Sequence, residues 1–502
     1  MTTAETSAQP MSELQRGLVL ATMAATSMLF SMTLTIVNVM LPTLQGAFSV
    51  TQDQVSWLVT LNIITLAIGM PLTGWIVARF GRRRTLIVSV SGFMATSLLC
   101  ATANSFEMMM LYRILQGASA ATLLALPQAI VLDTYPRERQ AFAQSVWGMA
   151  AVLGPAIAPS IGGFMSEAYG WRSAFLLMLP IGTLALVSIV FTVRDAGRDP
   201  SKRLDWTGFL ALAVAIACMQ IVFDRGQRMD WFESSTILLL TAAAAIGFYV
   251  FVVHCATDRN AFISFRLFLD RNFSIGIVLA FIYGLLQIAP TVILPPFLQT
   301  LKGYPDTMIG IVLAMRGAGM FIGYFLAPGL TRFDPRIGIG FGAALTAWSG
   351  WLMAHLDFDS PLFDIAVACI IQGIGASIFW VPLSTLTFAT MSRTLLPQGT
   401  GIYHLVRTFG SSLFVAISVT VVIRSARSAY SELNQHVSIF NDRLGFPAIS
   451  GGWNLADLDS VARLDLEVGR QAVMVGYHNA FLVYALLATL VVPCLLMVRR
   501  QR

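Results

Sequence analysis

Long apolar runs alternate with short polar breaks along this 502-residue chain. Fourteen runs can be drawn, at 17–43, 54–79, 85–103, 107–134, 141–167, 173–193, 206–223, 235–256, 273–298, 307–330, 337–355, 361–390, 399–424 and 478–498. Each approaches or exceeds the ~20 residues that a helix needs to cross the hydrocarbon of a bilayer. A backbone in lipid must satisfy its own hydrogen bonds, which leaves helices and closed barrels, and these runs are far too long for barrel strands. The pattern predicts an all-α integral membrane protein with fourteen transmembrane helices.

Composition fits that class, with 56% hydrophobic and 12% charged residues, against roughly a quarter charged in soluble domains. Lys and Arg fall unevenly between the breaks. With the N-terminus in the cytoplasm, twenty lie in inside segments and nine in outside ones, five of these in a single long segment. That bias places both termini inside. It also accounts for the net charge of +6 without a nucleic-acid partner. The first sixteen residues are polar and carry Glu5 and Glu13, so they read as a cytoplasmic tail with no cleavable signal peptide. Cys100, Cys218, Cys255, Cys369 and Cys494 fall in or at the ends of apolar runs and read as small hydrophobes. With no P-loop, no metal-ligand cluster and no recognisable nucleophile–base pair, neither enzyme activity nor a metal or cofactor is expected.

The charges inside the runs are of one sign. Arg113, Arg316 and Arg407 sit well within them, whereas the 26 acids lie in breaks or near run ends. A charge at bilayer depth is costly and normally faces a cavity or a partner, which marks these arginines as candidate functional residues. A positively biased interior favours anionic or neutral amphiphiles over lipophilic cations, because a cation would find no counter-charge there.

The chain also repeats itself. Ile114-Leu-Gln-Gly-Ala-Ser-Ala-Ala in the fourth run resembles Ile370-Ile-Gln-Gly-Ile-Gly-Ala-Ser in the twelfth, and Leu41-Pro-Thr-Leu-Gln in the first resembles Leu294-Pro-Pro-Phe-Leu-Gln in the ninth. Both pairs are eight runs apart, as two six-helix bundles separated by two extra helices would give. The expected organisation is a tail (1–16), a first bundle (17–193), a linker with two spans (194–272), a second bundle (273–498) with an outside insert (425–477), and a tail (499–502). The insert contains Gly451-Gly452-Trp453, followed by a helix-like stretch from about Leu455. Connections of that length are usually functional or disordered.

Several motifs resemble the major facilitator superfamily, in its fourteen-helix drug:proton antiporter branch of EmrB/QacA type, closer to EmrB. Gly74-Trp-Ile-Val-Ala-Arg79-Phe-Gly81-Arg82-Arg83-Arg84 is similar to the superfamily's cytoplasmic loop signature, with Ala78 where that signature has an acid. Arg113-Ile-Leu-Gln116-Gly117 resembles its buried-arginine motif. Gly148, Gly154-Pro155 and Gly162-Gly163 resemble its antiporter motif. Arg316-Gly317-Ala-Gly319, Arg407-Thr-Phe-Gly410 and the loop Asp224-Arg225-Gly226 through Asp230-Trp231-Phe232 are similar to patterns of the branch. Coverage is nearly the whole chain.

The resemblance implies export of hydrophobic or amphiphilic compounds across the bacterial inner membrane by proton antiport, with two bundles rocking about a central site. The implied partners are small hydrophobic substrates, protons, membrane lipids, a periplasmic adaptor and an outer-membrane channel. Thr33, Asn38, Arg113, Gln116, Asp133, Arg316, Gln372, His404 and Arg407 are the candidates for substrate binding or coupling. Gly74, Arg79, Gly81, Arg82, Arg83, Gly154, Pro155, Gly162 and Gly163 are those for gating. Plain structural readings stand beside these: glycines pack helices closely, the glutamines bond between helices, and Arg113 caps carbonyls.

One departure bears on mechanism. The branch carries a first-span acid just before Thr35-Ile36-Val37-Asn38, where this chain has Thr33. The remaining titratable candidates are His404, Asp133, Asp224 and Asp364. His404 stands one turn from Arg407, which places the two on one helix face. A dedicated exporter of an endogenous lipid or secondary metabolite, or a transporter-like protein without proton coupling, are the other readings.

Overall fold

The computed structural model describes residues 11–194, 198–258, 261–438, 441 and 457–497, so Gly451-Gly452-Trp453 and the C-terminal tail lie outside the described residues. The helices are α1 (Glu13–Phe48), α2 (Gln52–Gly69), α3 (Thr73–Phe80), α4 (Arg82–Ala101), α5 (Phe106–Ala120), α6 (Thr122–Thr134), α7 (Arg137–Tyr169), α8 (Trp171–Leu176), α9 (Met178–Thr192), α10 (Trp206–Arg225) and α11 (Ser235–Thr257). There follow α12 (Arg266–Leu269), α13 (Arg271–Thr300), α14 (Asp306–Phe333), α15 (Pro335–Met353), α16 (Leu362–Phe388), α17 (Leu396–Gln435), α18 (Leu458–Thr489) and α19 (Val491–Met497). Their limits are written locally. Ser12 with Gln15 and Thr51 with Gln54 form reciprocal capping boxes, each satisfying two otherwise orphaned N–H groups. Gly81 (φ 89°) and Gly170 (φ 80°) turn the chain between α3 and α4 and between α7 and α8, in backbone that a side chain would strain.

Among the described residues, eleven helices are long and apolar enough to cross a membrane, twelve when the bent pair α2–α3 is taken as one. α15, in the eleventh apolar run, does not reach that hydropathy; it is rich in glycine and alanine, which pack helices closely but contribute little hydrophobicity.

By internal contacts the chain forms two units. The first comprises 1–218, 243–274 and 384–405, and the second 219–242, 275–383 and 406–502. Neither is a single stretch. In the first, α7 lies along α1. A Cβ at Gly154 would meet Ser31 Oγ at 2.8 Å, and one at Gly162 would meet Ile36 at 3.0 Å. With the fully buried Ala158 between them, they form a small-residue face at four-residue spacing on which α1 rests. Gly163 has nothing within 4 Å of such a Cβ and takes no part.

The repeat is visible in backbone packing within each unit. In the first, a Cβ on Gly117 of α5 would come 2.4 Å from the carbonyl oxygen of Asn62 on α2; in the second, one on Gly373 of α16 would come 2.2 Å from that of Arg316 on α14. The two crossings are equivalent, and they align Asn62 with Arg316 and Arg113 with Cys369. Each half thus places one arginine beside the shared Gln-Gly pair, but on different helices.

Within the 425–477 segment the described residues are helical at both ends, the second close to the helix-like stretch expected from about Leu455. α17 continues unbroken to Gln435, and α18 begins at Leu458. They pair through a hydrogen bond from the Tyr430 hydroxyl to Asp465 and through Gly476, whose Cβ would lie 2.5 Å from the Val422 carbonyl oxygen. Arg470 donates to the carbonyl of Leu301 at 2.9 Å and lies over the Phe358 ring, so α18 is anchored there on two connecting loops. The twelve residues from Leu458 to that anchor extend about 18 Å further. The extension of α17 was not legible in the sequence, because it is too polar to read as part of a span.

Gly373→Ala and Gly284→Ala each put a methyl group into a carbonyl oxygen, at 2.2 and 2.1 Å. Thermal unfolding in detergent should show losses of about 1–3 kcal/mol or more. Gly310→Ala, with nothing within 4 Å, should be neutral or slightly stabilising.

Candidate functional site

Three polar clusters emerge, two in the first unit and one in the second. The first gathers at the Arg82 end. Asp133, at the close of α6, is ion-paired with Arg82 at the start of α4 and with Arg393 Nε at 3.2 Å. Arg82 and Asp133 are 16% and 17% exposed, whereas Arg393 is 81% exposed, so the first pair is the stronger of the two. Beside them, Gln398 donates to the carbonyl of Phe262 at 2.5 Å. A Cβ on Gly74 would touch Gln398 at 2.6 Å, and one on Gly401 would lie 2.4 Å from the Met70 carbonyl oxygen. The segment 384–405, from the second half of the sequence, is therefore held to α6 by an ion pair and packed at glycines against α3 and the end of α2.

The other signature arginines do different work. Arg79 donates to the carbonyl of Lys202 at 2.7 Å and flanks the Trp75 ring, while Arg83 donates to the carbonyl of Val190 at 2.7 Å near the end of α9. Only Arg82 reaches the ion-pair cluster.

The second cluster lies deeper in the same unit. Arg113 is fully buried; its Nε donates to the Leu58 carbonyl at 3.1 Å and its Nη1 to Gln116, which donates to Ser97 at 2.8 Å. Asn62 donates to the Arg113 carbonyl at 2.9 Å. Arg113 is thus enclosed in protein and ties α2, α4 and α5 together.

His404 is also fully buried in this unit. Its Nε2 is 2.7 Å from Gln128 Oε1, and Gln128 donates to Gln144 at 3.2 Å. Trp147 lies beside the imidazole with ring centroids 6.3 Å apart, and donates to Ser27 at 3.0 Å. Thr33 sits apart, bonded to the carbonyl of Leu29 and to Met178 Sδ in the packing of α1 on α9. Asn38 is exposed.

The third cluster belongs to the second unit. Arg316 Nε donates to Gln372 Oε1 at 2.6 Å, and its Nη2 donates to the carbonyl of Gln287 at 2.7 Å. Arg407 Nη1 donates to the side-chain oxygen of Gln287 at 2.7 Å. Gln287 therefore holds two guanidiniums, one by its backbone and one by its side chain. The glycine contacts set this up: α14 meets α16 at Arg316 and Gly373, and α13 meets α17 at Gly284 and the Arg407 carbonyl. His404 and Arg407 share a helix; Gln128, bonded to His404, belongs to the first unit, and Gln287, bonded to Arg407, to the second.

Sequence reasoning missed Gln287, Gln128, Gln144 and Arg393. The first three are neutral residues in apolar runs, and Arg393 counted only toward topology. Among the described residues, no group of three or more His, Cys, Asp and Glu could hold a metal ion.

The Major Facilitator Superfamily model matches residues 23–415. The chain is 28% identical over 486 residues to the multidrug export protein EmrB of Haemophilus influenzae, covering 95% of this chain and 94% of that protein. It is 25% identical over 468 residues to the fatty acid resistance protein FarB of Neisseria gonorrhoeae, covering 91% of each. The crystal structure of the human organic anion transporter MFSD10 (TETRAN) shares the fold, with a TM-score of 0.64 at 13% identity, over 96% of this chain and 99% of that one.

A double-mutant cycle separates the two ion pairs on Asp133. Coupling between Asp133→Asn and Arg82→Gln should exceed about 1 kcal/mol, whereas coupling with the exposed Arg393→Gln should stay below about 1 kcal/mol. Thermal melts of the purified single and double variants read both.

Proposed function

Because the chain belongs to the major facilitator superfamily, we propose that it is a secondary active multidrug exporter that moves hydrophobic and amphiphilic compounds outward by proton antiport with alternating access. It is a multi-pass protein of the bacterial inner membrane. Likeness to EmrB over nearly the full length supports the export reading. The observation that carries the mechanism is the Arg82–Asp133–Arg393 cluster, together with the close approaches at Gly74 and Gly401. By the positive-inside reading this end faces the cytoplasm. Opening toward the cytoplasm then means parting these ion pairs and lifting the 384–405 segment, while closing restores them. Asp133 is a latch in this account, and Gly74 is the smooth surface on which the latch seats.

Proton coupling falls to His404. An unperturbed imidazole titrates in the physiological range, and this one joins the inner end of α17 to Gln128 on α6. Its Nε2 faces Gln128 Oε1 and so already donates in the neutral imidazole; a second proton at Nδ1 keeps that bond and adds a charge at the α6–α17 contact, which links protonation to that contact. Everted membrane vesicles test the proposal. Uptake of a hydrophobic dye should rise with an imposed acid-inside gradient and fall when nigericin collapses it. His404→Asn should lose the gradient dependence while retaining dye exchange. Dye uptake indifferent to the gradient would remove antiport, and unchanged gradient-driven uptake in His404→Asn would remove His404.

The projecting α17–α18 hairpin is the part of the chain placed to meet a periplasmic adaptor that continues to an outer-membrane channel. Shortening both helices together, by removing residues 430–465, should abolish resistance in whole cells and spare dye uptake in vesicles. Loss of both would assign the hairpin to folding.

A further inference from the structure

We propose that Arg316, Gln287 and Arg407 form a carboxylate-binding site within the second unit, which selects amphiphilic monocarboxylates as substrates. This rests on the export reading above and adds its chemical class. Both guanidiniums are part-exposed, whereas Arg113 is enclosed. Their hydrogen-bond partners are neutral: the two oxygens of Gln287 and the side-chain oxygen of Gln372. Among the described residues neither arginine has an ion pair. Arg cannot discharge by losing its proton, so two such charges at membrane depth call for an anion.

The unused donors define what fits. Arg316 keeps Nη1, and Arg407 keeps Nε and Nη2, with Nε buried and without a partner. These donors without acceptors belong to two helices, α14 and α17, that Gln287 ties together. A planar, two-oxygen acceptor matches guanidinium forks better than a spherical anion does. The surrounding helices are almost wholly apolar, so the carboxylate should carry an aliphatic or aromatic body. The first unit does not offer the same site, because Asn62 stands where the second has Arg316.

Binding separates this from the transport reading. The full-length protein in phosphatidylcholine nanodiscs is titrated calorimetrically with decanoate, decanol and decyltrimethylammonium, which share a tail and differ in charge. Decanoate should bind most tightly. Arg316→Gln and Arg407→Gln should each weaken decanoate by about ten- to a hundredfold, with decanol unchanged. Gln287→Glu supplies an internal acid in nearly the same volume; it should lose the decanoate preference and gain decyltrimethylammonium binding. Decanoate affinity unchanged in both arginine variants, or an equal loss of decanol, would overturn the proposal. Displacement of decanoate by added phosphatidylglycerol, with no gain of cation binding in Gln287→Glu, would reassign the site to a lipid headgroup. Gradient-driven dye uptake in vesicles is scored separately, so export can stand without the carboxylate site, or the site without export.

Discussion

An arginine in a membrane span keeps its charge, and the structure must supply neighbours that tolerate it. Arg113 is wrapped by a backbone carbonyl and by Gln116, and three helices converge to provide that wrapping. Arg316 and Arg407 are held by Gln287 and Gln372. In both halves glycines do the preparatory work, because only helices that cross at backbone contact can bring a carbonyl to a guanidinium. Two exchanged positions, Asn62 for Arg316 and Arg113 for Cys369, turn two related crossings to different uses. One arginine is sealed and ties helices together, and two are left part-exposed.

The ion-pair cluster around Asp133 obeys a different rule. It lies at a helix end and is partly hydrated, so its two pairs differ in strength by exposure alone. Pairs of this exposure cost less to separate than a fully buried pair would. The glycines at 74 and 401 add shape without adding attraction.

The sequence revealed what it marks with charge or hydrophobicity and concealed the rest. Arg316 and Arg407 were legible because an arginine in an apolar run has few ordinary explanations. Gln287, which joins them, was not legible, since glutamine interrupts no run and carries no charge. Arg393 was visible only as one positive residue among those that orient the chain; its pairing with Asp133 depends on folding across 260 positions. The repeat motif around Gln116 and Gln372 pointed to equivalent crossings, yet the exchange of arginine between helices needed coordinates. α15 fell short in hydropathy because small side chains stand where bulky ones would. The extension of α17 to Gln435 was hidden for the opposite reason, being helix made of residues that water tolerates.

α17 is a single helix of 40 residues, with His404 near one end and Tyr430 near the other. Its residues from Val406 onward lie in the second unit, a rod of about 45 Å. A tilt of about 5° in such a rod would displace its tip by about 4 Å. A small shift of the Arg407 guanidinium among its partners would therefore be felt near Tyr430 as a movement of nearly one helical turn.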